Sequence, residues 1–206
     1  ECMNAVTREG RLDLETAEAL EAGRPLDAFA AMGPHEGKAG RIVRVFVPGA
    51  QGVEVVGRDD GKSWGVLTAG AGAGLFEGPV ERPGAYILRI QWPGGVQETE
   101  DAYAFGPALG DLDLHLFNEG RHFELAEALG ANVVSMEGVD GVRFAVWAPN
   151  AQRVAVIGDF NFWDRRRHPM RLRPSAGVWE IFIPRIGAGA RYKFDIVGQG
   201  GVRLPD

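Results

Sequence analysis

A stretch of fifteen residues occurs twice in this chain. VRVFVPGAQGVEVVG at 43–57 and FAVWAPNAQRVAVIG at 144–158 align without a gap, 101 positions apart from Pro48 to Pro149. Gln51 falls on Gln152, and Val53, Val55 and Gly57 fall on Val154, Val156 and Gly158. Further on, GLFEG (74–78) answers GVWEI (177–181) and YILRI (86–90) answers YKFDI (192–196), in the same order. Two copies this long read as duplicated domains, because solenoids stack three or more shorter units. Within each copy, alternating apolar residues between Gly, Pro and Asp turns read as antiparallel strands with one buried face.

The expected fold is therefore mainly β: two tandem immunoglobulin-like β-sandwiches, with short helices at the N-terminus and between the modules. The division expected is an N-terminal helical segment at 1–24, a first sandwich at 25–106, a connecting segment with a helix at 107–135, and a second sandwich at 136–206. In LDLETAEALEAG, Asp13 caps a short helix carrying Leu14, Ala17 and Leu20, and Gly23 stops it. NEGRHFELAEALG (118–130) predicts the second helix, with Leu125 and Leu129 on one face. GAGAGLFEG has the glycines of a phosphate loop without its Lys-Ser/Thr ending, and Pro79 and Pro83 oppose a following helix, so a hairpin loop is expected.

With 45% hydrophobic and 24% charged residues, the 206-residue chain has the balance of a globular protein, and no apolar run approaches the roughly 18 residues of a membrane span. A net charge of -6 argues against a general nucleic-acid binder, so neither nucleic acid nor membrane is expected as a partner. Cys2 is the only cysteine, which excludes an internal disulfide, and the first ten residues lack a basic start and apolar core; the expected location is the cytoplasm. The histidines, at 35, 115, 122 and 168, lack metal-ligand spacing, so no metal site is expected. No cofactor and no catalytic residue is read from the chain.

The binding chemistry concentrates in VAVIGDFNFWDRRRHPM (154–170). Strand parity puts Val154, Val156, Phe160 and Phe162 on a core face and Asp159, Asn161 and Trp163 on the other. A flat indole beside an amide and a carboxylate suits a sugar ring, whose C–H face packs on the aromatic while Asn161 serves a pair of hydroxyls. The same indole also reads as an ordinary packed core aromatic. In YKFDI, Tyr192, Phe194 and Ile196 form the inner face and Lys193 and Asp195 the outer, so Lys193 is either a donor to a sugar hydroxyl or a solvated charge. Trp147 and Trp179 read as core or half-buried. The basic run Arg165, Arg166, Arg167, Arg171 and Arg173 reads as a solvated loop or a docking surface for an acidic domain.

GPHEGKAGRIVRVFVPGAQGVEVV, LFNEGRHFELAEALGA, GVRFAVWAPNAQRVAVIGDFNFWDRRRHPM and GVWEIFIP resemble the N-terminal part of bacterial glycogen (1,4-α-glucan) branching enzymes, from about Ala19 to the end. The resemblance implies two β-sandwiches ahead of a C-terminal catalytic barrel of the α-amylase type, the second sandwich being a family-48 carbohydrate-binding module. It implies a parent enzyme that cuts an α-1,4-glucan and rejoins it through an α-1,6 bond by a retaining mechanism. The partners implied are α-1,4-glucan chains and that barrel. The site implied is Trp163 for stacking, with Asn161 and Lys193 in support. A second tryptophan found in related glycogen-binding modules is replaced here by VGQGGVRL, leaving one aromatic platform. Two alternatives stay open: both sandwiches brace the barrel without binding glucan, or the parent is a debranching or trehalose-forming relative.

Overall fold

The computed structural model describes residues 10–37, 40–110, 114–115 and 128–204. The chain divides into two units, Glu1–Ala104 and Phe105–Asp206. Both are antiparallel β structures, as the sequence predicts.

The first unit opens with α1 (Leu14–Ala22). Asp13 caps it by accepting the Thr16 N–H at 2.8 Å, and Gly23 ends it in the left-handed region at φ 62°. Ala17, Ala19 and Leu20 are buried, while Leu14 is exposed. A single turn, α2 (Ala28–Ala31), follows. Seven strands come next: β1 (Gly33–Gly37), β2 (Gly40–Phe46), β3 (Gly52–Gly57), β4 (Ser63–Ala69), β5 (Leu75–Pro79), β6 (Tyr86–Trp92) and β7 (Gly95–Thr99). Their order is β1-β2-β5-β4-β3-β6-β7. β4 turns the corner between the two layers. Val66 and Leu67 pair with β3, and Thr68 and Ala69 then pair with β5. Val43, Val45, Val55, Leu88 and Ile90 from both layers meet in one buried cluster. The glycine stretch before Leu75 is the β4–β5 hairpin loop.

The second unit has β8 (Gly130–Met136), β9 (Val139–Trp147), β10 (Arg153–Gly158), β11 (Arg171–Arg173), β12 (Val178–Pro184) and β13 (Tyr192–Val197). A four-stranded sheet, β11-β12-β9-β8, faces a β10–β13 pair. Phe144 of β9 reaches across to Tyr192 and Phe194 of β13, with ring centroids 4.8 and 6.5 Å away. β8 begins inside the stretch expected to be a connector. The helix expected over 118–130 lies outside the described residues apart from its end.

The sequence repeat is a repeat of pairing. Val53, Val55 and Gly57 face Ile90, Leu88 and Tyr86, as Val154, Val156 and Gly158 face Ile196, Phe194 and Tyr192. The shared Pro and Gly have a geometric reason. Gly74 and Gly177 have φ of 90° and 65°, and a Cβ on either would come within 2.6 Å of Pro48 or Pro149. Only glycine permits both the left-handed turn and that approach.

The repeat also includes what lies outside each sandwich. Leu12, Ala17 and Leu20 pack on Phe46 and Leu75, on the outer face of β2 and β5. Leu109, Leu114 and Ala128 pack on Ala145 and Val178, on the outer face of β9 and β12. In each module a buried glutamate pins that covering segment: Glu77 accepts the Leu12 N–H at 2.9 Å, and Glu180 accepts the Leu109 N–H at 2.6 Å. The described part of the N-terminal segment, Leu12 to Leu20, therefore packs within the first module, and Phe105, Leu109, Leu114 and Ala128 pack within the second. Periodicity within strands gave no sign of this, because these contacts join segments far apart in sequence.

The arginine beside each glutamate has moved. Arg44 faces Glu77 across β2 and β5 and donates to the Gly10 carbonyl at 2.8 Å. The matching position across from Glu180 is Ala145, and the guanidinium comes instead from Arg173 on β11, 2.9 Å from both Glu180 and the Leu109 carbonyl.

At the end of the first unit, buried Asp101 accepts hydrogen bonds from Tyr86 Oη at 2.7 Å and from the Tyr103 N–H at 2.9 Å. Burial raises its carboxyl from 3.8 to about 6, outweighing the two hydrogen bonds, which act the other way.

Candidate carbohydrate site

β10 ends at Gly158, and the next six residues each have a separate task. Asp159–Asn161 form a single 3-10 turn. Phe162 and Trp163 follow with φ of 58° each, two consecutive bulky residues in the left-handed region. Such strain costs on the order of 1–3 kcal/mol per residue and persists where the surroundings over-determine it. The turn also ends the strand alternation, which overturns the parity reading beyond Gly158.

Asn161 is the clearest correction. Its side chain is 0% exposed. Its Oδ1 accepts the Gly158 N–H at 2.9 Å, and its Nδ2 donates to the Val156 carbonyl at 2.9 Å and to His168 Nδ1 at 2.8 Å. Every polar capacity on that amide is used by its own module except one carbonyl lone pair, and burial keeps a sugar from it. Asn161 shapes the loop and does not face ligand. Phe160 packs between Phe144, at 5.8 Å, and His168, at 5.9 Å. Phe162, expected on the core face, is 77% exposed, with the Arg167 guanidinium 5.8 Å from its ring centroid.

Trp163 is 39% exposed, and its Nε1 donates to Asp159 Oδ1 at 3.0 Å. Asp159 is held in turn by Arg191, whose Nε donates to Oδ2 at 3.0 Å and Nη2 to Oδ1 at 3.3 Å. The Arg191 and Trp163 hydrogen bonds hold the Asp159 carboxyl below its ordinary range, so it stays ionised at neutral pH. The result is an indole with one edge tied down, beside a polar pair able to exchange hydrogen bonds with hydroxyls. Sequence parity missed Arg191, which lies outside the strand. Lys193 is exposed on β13 opposite Ile157, one residue beyond the Tyr192–Gly158 pair at the root of the loop.

The remaining expectations divide. Asp195, placed on the outer face with Lys193, is only 3% exposed; Arg153 lies 3.3 Å from it, Arg165 3.6 Å and Arg203 3.1 Å. Two more of the arginine run are paired within the module, since Arg166 folds on Asp164 at 2.7 Å and Arg173 serves buried Glu180. The run is largely neutralised by its own module and is not a uniform basic surface. Trp179 is buried, while Trp147 is 56% exposed at the end of β9, against its expected burial.

The first module also has a tryptophan soon after β3, Trp64 at the start of β4, and it lies in the core cluster. The difference is topological. The chain after β3 forms a hairpin directly into β4, whereas the chain after β10 makes the 3-10 turn and runs back along β10 through Pro169 and Met170.

Residues 13–103 match the family model of the alpha-1,4-glucan branching enzyme GlgB, N-terminal domain, and residues 128–205 match that of carbohydrate-binding module 48 (isoamylase N-terminal domain). The chain belongs to the N-terminal region of the GlgB family. It is 55% identical over 203 residues to 1,4-alpha-glucan branching enzyme GlgB 2 of Xanthomonas oryzae pv. oryzae, covering 98% of the chain and 27% of that relative. It is 51% identical over 202 residues to GlgB of Pseudomonas putida, covering 97% and 27%. The chain thus spans about a quarter of the length of the curated relatives it matches. A crystal structure of ligand-free PulA-G680L from Klebsiella pneumoniae aligns with a TM-score of 0.28 and 16% identity, over 78% of this chain and 19% of that one. No helix among the described residues is long and apolar enough to cross a membrane.

In the family-48 module, His168 lies against the Asn161 amide, and desolvation, reinforced by Arg167, lowers it from 6.5 to about 3, with Asp164 acting the other way. His168 and Asp101 therefore respond to acid with opposite signs. A depressed base contributes stability that is fully present above about pH 6.5 and lost as pH falls toward 3. A raised acid contributes stability that is fully present below about pH 4 and lost as pH rises through 6. Relative to His168→Gln, the family-48 module should lose stability on acidification from pH 6.5 to 4; relative to Asp101→Asn, the GlgB N-terminal unit should gain it. Each difference should be on the order of 1–3 kcal/mol by hydrogen exchange measured unit by unit. Parallel pH curves for wild type and either variant would refute that assignment.

Proposed function

We propose that this chain is the noncatalytic glucan-binding and glucan-positioning region of a 1,4-α-glucan branching enzyme that forms α-1,6 branches in glycogen biosynthesis. The observation that carries the reading is the exposed Trp163 indole, fixed at its Nε1 by Asp159, which Arg191 holds in turn, on a strained loop of the family-48 module. A neutral hexose ring stacks on such a face, and the Asp159–Arg191 pair offers acceptors and donors to its hydroxyls. Lys193, exposed near the root of the loop, supports the same surface. Asn161 acts one step back, by holding the loop in shape. The partners on this reading are α-1,4-glucan chains and the catalytic barrel of the parent enzyme, in the cytoplasm. By analogy with base stacking, one platform contributes about 1–3 kcal/mol, which means weak binding per site, strengthened on a multivalent polymer.

A bracing role has one observation in its favour: Phe162, far more exposed than Trp163 and under Arg167, is the kind of apolar knob that a further domain of the parent covers. Affinity electrophoresis in glycogen gels separates the two. Retardation of the wild-type chain should fall about tenfold or more in Trp163→Ala, with circular dichroism unchanged. Mobility independent of glycogen in the wild-type chain would support bracing and remove the binding reading.

A further inference from the structure

The GlgB N-terminal unit has a groove of its own. It runs between the start of β2, the first residues of β4 and the loop after β5, with a volume of about 650 Å³, within the range of small-ligand pockets. Its floor exists because β4 and the end of β5 come unusually close: a Cβ on Gly65 would lie 2.6 Å from the Pro79 carbonyl oxygen. Val66, Pro79 and Pro83 supply apolar surface, and four charges line the groove: Arg41 and Arg82, Glu36 and Glu81.

The two arginines are held from behind. Arg41 Nη1 donates to the Gly84 carbonyl at 3.0 Å, and its guanidinium lies 5.7 Å from the Tyr86 ring centroid; Arg82 Nη1 lies 3.5 Å from Asp60. Each guanidinium has five N–H donors, so these anchors use only part of its capacity. Two cations and two carboxylates in one groove carry no net charge. Arg41 and Glu36 already face each other, Nε to Oε1 3.9 Å; an anion would have to compete with Glu36 and meet Glu81, a cation meets the arginines, and an apolar molecule would strip water from charges that these long pairings compensate only in part. A neutral ligand whose neighbouring hydroxyls both donate and accept satisfies all four, while its C–H faces rest on the valine and the prolines.

We propose that this groove is a second saccharide site, taking a short stretch of α-1,4-glucan independently of the Trp163 loop. That the polyol is an α-glucan rests on the reading of the parent enzyme above; the need for a neutral polyhydroxylated ligand rests on the groove alone.

The test is a titration of the ¹⁵N-labelled 206-residue chain with maltoheptaose, followed by amide shifts in wild type, Trp163→Ala and the exposed double variant Glu81→Ala/Arg82→Ala. The amides of Gly65, Val66, Glu81 and Arg82 should shift saturably, and should do so equally in Trp163→Ala. In the double variant the Kd read at Gly65 and Val66 should rise tenfold or more, with shifts around Trp163 unchanged. Groove amides that stay still while the loop amides saturate would overturn the groove and leave the Trp163 reading standing. Groove shifts with a silent loop would do the reverse. If inorganic phosphate moves the groove amides and maltoheptaose does not, the groove is an anion site and the proposal falls.

Discussion

Glu180→Ala should destabilise the second module by about 3–5 kcal/mol, a large share of the stability of a domain this size. Glu180 is buried on β12 and joins two opposite groups of one residue: its Oε2 accepts the Leu109 N–H, while Arg173, held on its Oε1, donates to the Leu109 carbonyl. Removing the carboxylate leaves a buried N–H without an acceptor and a largely buried guanidinium without its counter-charge. Glu180→Gln keeps an acceptor of the same shape and should cost distinctly less. Urea unfolding gives the magnitude, and exchange of the Leu109 amide gives the place, because the covering segment should open before the sheets do. A loss below about 1 kcal/mol in Glu180→Ala would mean that apolar contact alone holds the segment, through Leu109, Leu114 and Ala128.

Asp195→Ala should be comparably costly, again about 3–5 kcal/mol, for a different reason. Asp195 is the shared counter-charge of Arg153, Arg165 and Arg203, and Arg153 is itself buried, so the variant leaves a cation in a dry place. The effect is mostly the penalty of the orphaned charge. Replacing both partners by apolar residues, Arg153→Met with Asp195→Leu, should therefore recover much of the loss, since a buried ion pair and a well-packed apolar pair are often close in stability. Thermal unfolding of the two single variants and the double variant tests this. A double variant as unstable as the sum of the singles would show that Asp195 acts instead through its links to Arg165 and Arg203, tying the loop and the end of the chain to β13.

Both residues show where local reading stops. Parity put Asp195 in solvent beside Lys193, and the assignment is right for Lys193 alone. The two side chains share one face of β13, but Arg153 lies 42 positions earlier in the chain and nothing local to β13 reveals it. Leu109 is 71 positions from Glu180. Asn161 failed for a nearer cause: a 3-10 turn rotated the chain, so a residue counted as outward became the plug of the loop, and Phe162, counted as inward, became the most exposed aromatic in it.

The sequence by itself determined the two β modules, their repeated strand pairing, the α1 cap and stop, and the loop on which the candidate platform sits. Each is written in short-range chemistry: alternation every second residue, Asp13 and Gly23 at the ends of a helix, turn residues between the apolar runs. Only the tertiary structure decided which polar side chains are interior, that each module includes the segment ahead of its sandwich, and that Trp64 is swallowed while Trp163 is presented. Those outcomes depend on which distant backbone group or charge arrives beside a side chain and on where the chain goes after a strand, and neither is encoded in the spacing of its neighbours.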